Sequence, residues 1–288
     1  MKKENEEWIL IAGIFLILPY VLIVIILGRE NCPLSRNPDA EAYVAAVTAS
    51  ELPWNYQKET VKAQTIIART NLHLKKQKQE MEEILEETAN VFQQKNRNND
   101  RMEQFAVFQE AARETEGEVL TLNGEKKEIP YHHLSAGKTR DGVEILGDSG
   151  TYIPSVETAK DIDSPLYVEG CYFSFQDIER RMKEKYGGFY FGENRSVEVK
   201  KTDMAGYVME VEIGSQTLQG EQVRRLLELP SSCFTVQKAE EHVRFLCKGV
   251  GHGLGMSQYA AEQMALEGKD YKEILAYFFP ELQISKER

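Results

Sequence analysis

The first pattern along the chain is an unbroken apolar run. From Trp8 to Gly28 no side chain is charged, and WILIAGIFLILPYVLIVIILG spans 21 residues, enough for a hydrocarbon layer that needs about 20. Pro19 is tolerable in lipid. The run passes into Gly28-Arg29-Glu30-Asn31 without the small residues of a cleavage site, so it predicts an uncleaved anchor. Lys2 and Lys3 favour a cytoplasmic N-terminus, whereas Arg29 and Arg36 pull the other way. The reading is N-inside, with a short cytoplasmic tail over 1–7, an anchor over 8–28, a linker over 29–37 and everything after residue 28 outside.

Beyond the linker the spacing becomes helical. Asn37-Pro38-Asp39 predicts a cap for a helix through EAYVAAVTAS that stops at Glu51-Leu52-Pro53, because proline restrains the residue before it. Asn55 predicts the cap of a second helix, QKETVKAQTIIARTNLHLKK, whose Ala63, Ile66, Ile67 and Thr70 form one buried stripe. Its Lys-, Glu- and Gln-rich continuation reads as a solvated helix ending in an Asn-rich mobile loop. Residues 117–252 change period: VLTL, LYVEGCYFSF, SVEVKK, YVMEVEI and VRFLCKG alternate as strands, interrupted by one helix, EQVRRLLEL, closed by Pro230. Helix returns afterwards, with Ser257 as a cap, Gly268 as a stop, and Asp270 with Glu273 as a capping box for YKEILAYFF before Pro280. The expected fold is α+β: an N-terminal transmembrane helix, then a mixed extracytoplasmic domain over 38–288 with a helix pair, a strand-rich middle and C-terminal helices around a cleft.

Composition narrows the function classes. A chain of 288 residues with 42% hydrophobic and 28% charged positions is ordinary globular material with a sizeable core. Its net charge is −11 and its basic runs are short, such as Lys75 to Lys78, so nucleic acid is not an expected partner. The four cysteines, Cys32, Cys171, Cys233 and Cys247, contain no C-x-x-C pair and allow three pairings that sequence does not rank. They read as small buried hydrophobes, with Cys247 sharing a strand face with Val243 and Phe245.

The most unusual stretch is GVGHGLGMSQYAAEQM, from Gly249. It lacks the Gly-Lys-Ser/Thr of a phosphate loop, and its G-x-G-x-G spacing is not a dinucleotide fingerprint. His252 has no further ligand nearby, so neither a metal nor any cofactor is expected. Glycines at 251, 253 and 255 imply φ > 0 or close approach, and Met256, Ser257, Gln258 and Tyr259 suit neutral polar contacts, as in a carbohydrate cleft. His132, His133 and Ser135 suggest a nucleophilic site, but no acidic orienter is positioned by sequence.

Four segments taken together resemble the stage II sporulation protein D family. GVGHGLGMSQYAA is similar to its G-H-G-x-G-M-S-Q-Y-G-A signature. Glu51 and Pro53 match its Ala-x-Glu-Met-Pro turn, and Lys62, Ala63, Gln64, Ala68, Arg69 and Thr70 match the helix that follows. YHHLSAGKT resembles its His-Ser-x-Ser-Gly-Gly-Lys-Thr stretch through His132, Ser135, Gly137, Lys138 and Thr139. YIPSVETAKDIDSP and RRLLELPSSCFTV resemble two further segments, so the likeness spans roughly residues 38–280 in order. It departs at His133, Ala136 and Ala260, and over 74–106.

The resemblance implies a membrane-anchored peptidoglycan lytic transglycosylase acting during spore engulfment, cleaving MurNAc–GlcNAc bonds of peptide-stripped strands to 1,6-anhydro ends. Glu51 would be the acid, kept neutral by Ala49, Leu52, Pro53 and Trp54. The 6-hydroxyl of the sugar attacks C1, so no second carboxylate is required. His132, Ser135, Lys138, Thr139, His252, Met256, Ser257, Gln258 and Tyr259 would bind sugar, Gly137, Gly251, Gly253 and Gly255 would let the backbone approach it, and Lys62, Gln64 and Arg69 would support the helix. The implied partners are glycan strands and an amidase/endopeptidase, stage II sporulation protein P. The implied site is the mother-cell membrane facing the septal or intermembrane space. The alternative is a non-catalytic wall-binding enhancer of an N-acetylmuramoyl-L-alanine amidase.

Overall fold

The computed structural model describes residues 40–77, 101–193 and 195–287. The expected anchor over 8–28, the linker, Cys32, the cap at 37–39 and the continuation over 78–100 lie outside the described residues. Among the described residues no helix is long and apolar enough to cross a membrane.

Helices α1 (Ala40–Glu51) and α2 (Lys58–Gln77) form the expected pair, and α3 (Arg101–Glu114) packs across both. Val44, Ala49, Leu52, Val61, Ala68, Leu72, Phe108 and Ala111 make their common core. The end of α1 is satisfied by the Trp54 indole, which donates to the Ala49 carbonyl at 2.7 Å. Asn55 does not cap α2. The Glu262 carboxylate does so from the far end of the chain, accepting from the Gln57 amide and the Thr60 hydroxyl, each at 2.8 Å.

Strand β1 (Glu118–Leu122) lies antiparallel between β2 (Glu125–Lys126) and the C-terminal β11 (Gln283–Lys286), so the chain closes on itself. Strand β3 (Tyr131–His132) pairs in parallel with β10 (Met256–Ser257), Met256 opposite Tyr131 and Ser257 opposite His132. That short pairing brings the two loop motifs side by side. Between them come the short α4 (Gly142–Leu146) and a strand-rich half. One of its sheets has order β4 (Val168–Ser174), β9 (His242–Lys248), β8 (Phe234–Lys238); the other has order β5 (Val197–Thr202), β6 (Val208–Ile213), β7 (Gln216–Leu218). Helices α5 (Phe175–Lys185) and α6 (Gly220–Leu227) pack with them around Phe175, Met182, Val211, Val223 and Phe245.

The sequence pattern did not indicate α5, because the alternation of CYFSF runs directly into it; Ser174 begins the helix by accepting from the Asp177 amide at 3.1 Å. The expected caps near the C-terminus are present. Ser257 accepts from Ala260 at the start of α7 (Gln258–Leu266), and Asp270 with Glu273 closes a capping box on α8 (Tyr271–Phe278). Cys247, Val243 and Phe245 are buried on one face of β9, and Cys171, Cys233 and Cys247 are free thiols.

Candidate active site

A cleft of about 630 Å³ opens between the helix pair and the β3 loops. One wall is Val47, Ser50 and Glu51 of α1 with Ala68, Asn71, Leu72 and Lys75 of α2. The other is Glu128 to Tyr131, Tyr152, Ile153, His252 and Leu254, with Leu146 also lining it. Glu51 and His252, 201 positions apart in the sequence, therefore face one space.

Glu51 ends α1, where the negative end of the helix dipole opposes a further negative charge. Its Oε2 accepts from Gln64 Nε2 at 2.8 Å, and the Tyr131 hydroxyl donates to the same carboxylate. Gln258 Nε2 donates to the Glu51 backbone carbonyl at 3.2 Å, so both motif glutamines converge on one residue, one at the acid and one at the helix end. Burial pushes the Glu51 pKa above its ordinary value of 4.5; the bonds from Tyr131 and Gln64 and the charge of Lys75 oppose that rise without cancelling it. Gln64 Oε1 is buried without a partner. Turned over, the amide would offer that oxygen to a protonated Glu51, so Gln64 serves either state of the acid. The apolar side chains that line the cleft with Glu51 include Val47, Ala68, Leu72, Ile129 and Leu254. Ala49 and Leu52, expected in that role, share the helical core with Val47, Ala68 and Leu72 but do not line the cleft.

Burial disfavours the charged form of both His132 and His252. His132 donates from Nδ1 to the Leu254 carbonyl at 3.0 Å, and burial pushes its pKa down to about 3. His252 accepts the Leu254 amide at Nδ1 at 3.1 Å and donates to the Tyr131 carbonyl, and burial lowers its pKa as well. Their rings lie 5.9 Å apart. Neither activates Ser135, whose hydroxyl bonds Thr158 and accepts from the Gly137 amide at 3.0 Å. Neither His132 nor His252 thus forms a Ser/His pair with Ser135.

Several residues expected to bind sugar sit behind the cleft wall. Asp161, fully buried and not anticipated, accepts from the Ser135 amide at 2.8 Å and the Ser257 hydroxyl at 2.7 Å, bracketing the two loops together. Burial raises its pKa, and those bonds work against the rise. Thr139 accepts the Val156 amide at 2.9 Å, and Met256 belongs to the core. Lys138 pairs with Glu157 at 3.2 Å on the surface, while the Tyr259 amide donates to His133 at 3.1 Å. Of the nine residues expected to bind sugar, His252 is the one that lines the cleft with Glu51.

The glycines correct another expectation, since their missing side chains face protein and not ligand. A Cβ on Gly253, at φ +80°, would lie 2.3 Å from Tyr207 Cζ, and one on Gly255, at φ +70°, 2.0 Å from the Pro130 carbonyl oxygen. Gly251 meets His132 in the same way, whereas at Gly137 (φ +101°) a Cβ would meet the Ile162 side chain at 3.2 Å. Arg69, fully buried, donates to the Ala112 and Glu118 carbonyls at 3.1 Å and clamps α2 to α3 and β1. Lys62 pairs with Glu59 and Glu114 outside the cleft. Tyr131 and Lys75, which no motif singled out, do line it. Among the described residues no group of His, Cys, Asp and Glu could hold a metal ion.

The chain is similar in sequence to several known proteins. The family model described as Stage II sporulation protein matches residues 30–122. Stage II sporulation protein D of Bacillus subtilis (strain 168) is 29% identical over 269 residues, 89% of this chain and 76% of that protein. Its Bacillus amyloliquefaciens counterpart is 27% identical over 89% of this chain and 75% of that protein. A 42% identical stretch of 50 residues is shared with the amidase enhancer of Bacillus subtilis, covering 17% of this chain and 7% of that protein.

Proposed function

The chain belongs to the stage II sporulation protein D family, and we propose from that premise that it is a lytic transglycosylase acting on peptidoglycan during spore formation. The observation that carries the reading is Glu51, a carboxyl with a raised pKa, facing the same cleft as His252. Glu51 protonates the oxygen of a MurNAc–GlcNAc bond as the C1–O bond breaks and an oxocarbenium-like centre forms. The resulting carboxylate then takes the proton of the sugar's 6-hydroxyl as that oxygen bonds to C1, which leaves a 1,6-anhydro end and restores the acid. Tyr131 and Gln64 orient the carboxyl throughout. The substrate is peptide-stripped strands, residues 8–28 form a membrane anchor, and the domain works outside the cytoplasm beside an amidase/endopeptidase such as stage II sporulation protein P.

Incubation of the purified chain with amidase-treated strands is expected to release 1,6-anhydro-MurNAc ends, read by mass spectrometry. If none form, or if Glu51→Ala releases as many, the catalytic reading is lost. The stretch shared with an amidase enhancer favours one second reading, a wall-binding enhancer of an amidase. It keeps the cleft and makes no demand on the Glu51 proton; stimulation of an amidase by the Glu51→Ala variant would support it.

The acid also has a pH signature. Activity of the free enzyme requires a protonated Glu51, so kcat/KM falls on the basic side of a pKa above 4.5. Tyr131→Phe removes a bond that favours the carboxylate, and the basic limb is expected to move to higher pH. A limb unmoved in that variant would mean that Tyr131 does not tune the acid.

A further inference from the structure

The wall of the cleft contributed by α2 has one charge on it. Ala68, Asn71, Leu72 and Lys75 fall at i, i+3, i+4 and i+7, so they form a single stripe along the helix, and all four line the cleft. Asn71 is fully engaged, its side-chain amide bonding both the N–H and the carbonyl of Ile129, at 2.8 and 2.9 Å. Lys75 is exposed, has no ion-pair partner among the described residues, and is the one cationic side chain among the lining residues. The carboxylates of the cleft are Glu51 and Glu128, on a chain of net charge −11. A polyanion entering such a cleft is repelled unless a local cation offsets the field.

Amidase action on a glycan strand turns each lactyl amide of MurNAc into a free carboxylate, so a peptide-stripped strand is a polyanion and a substituted one is neutral at that position. We infer that Lys75 is the subsite that recognises the lactyl carboxylate of MurNAc and so selects peptide-stripped strands. This rests on the reading of the cleft as a glycan site. The placement suits the role: α2 rises about 1.5 Å per residue, which puts the Lys75 backbone about 16 Å beyond that of Gln64, and long helical side chains lean back toward the N-terminus. The ammonium thus leans toward Glu51 from farther along the strand path. Its charge already holds the acid's pKa below what burial alone would give. A carboxylate paired with Lys75 cancels that influence, so the matching substrate makes Glu51 hold its proton more firmly.

The test compares two ligands on the full-length chain in detergent: glycan oligosaccharides with free lactyl carboxylates, and the same oligosaccharides with those carboxylates converted to methylamides. Lys75→Gln is expected to raise the Kd for the free acid about tenfold, the size of one lost charge-assisted bond. The methylamide Kd is expected to stay unchanged, Lys75→Arg to restore the preference, and 0.5 M salt to erase it, as expected at roughly half the Debye length of physiological salt. Equal weakening of both ligands, or of neither, in a variant with the parent's melting temperature overturns the inference. Binding without 1,6-anhydro products would remove the transglycosylase reading and leave the Lys75 comparison decisive. Binding of neither ligand by the parent chain would overturn both.

Discussion

Glu51→Gln is expected to lower kcat on peptide-stripped strands by about 10²–10⁴-fold, the range for a positioned proton donor. The amide keeps the volume of the acid and can still accept from Gln64, so folding is retained while the transferable proton is gone. The same variant is expected to gain thermal stability at neutral pH. Burial raises the pKa of Glu51 in the folded state, so the fold binds this proton more tightly than the unfolded chain does. That contribution to stability is fully present below the unfolded value of about 4.5 and is lost as the pH rises through the folded value. Above it, the wild-type chain carries a buried charge that glutamine lacks. The melting temperature of Glu51→Gln minus that of the parent should therefore grow between pH 4 and pH 7. A variant both inactive and less stable at pH 7 would make Glu51 a structural residue.

The position of Glu51 was legible in the sequence and its surroundings in the cleft were not, for a physical reason. Glu51 stands where a proline ends a helix, and local rules locate such ends, as they did the Ser257 cap and the Asp270 box. What a motif residue touches is a long-range matter. Ser135 and Ser257 were expected at the sugar, yet both turn toward Asp161, a residue 26 positions from one and 96 from the other. The alternating glycines signalled close approach correctly, but their pattern does not say to what; the answer is Tyr207 and Pro130. Strands β8 and β11 and helix α5 were not indicated because short segments with mixed periods acquire their identity from a partner, as β11 does from β1. Lys75 was visible only as part of a short basic run, since its meaning depends on which face of α2 borders the cleft.

The other large effect lies behind the His252 loop. Asp203 is buried and accepts from Arg140 Nε at 2.5 Å and from the Ala205 and Tyr207 amides at 3.1 and 2.8 Å. Arg140 in turn donates to the His252 carbonyl at 3.3 Å, its own amide donates to the Gly253 carbonyl at 2.8 Å, and its guanidinium lies over the Tyr207 ring. Asp203→Ala leaves the guanidinium uncompensated in the interior and is expected to cost about 3–5 kcal/mol, a fall in melting temperature of roughly 6–20 °C for a chain of this size. A loss below about 1 kcal/mol would mean that water reaches Arg140 and the pair is not truly buried. The double replacement Arg140→Met with Asp203→Leu separates stability from function. Exchanging a whole buried pair for apolar groups is often neutral, so much of the melting temperature should return. Product formation should not, because the His252 carbonyl has lost its donor and the wall opposite Glu51 is no longer fixed. Recovery of stability together with full product release would show that the loop is held by its glycines and by β3 alone, and that the ion pair serves only the fold.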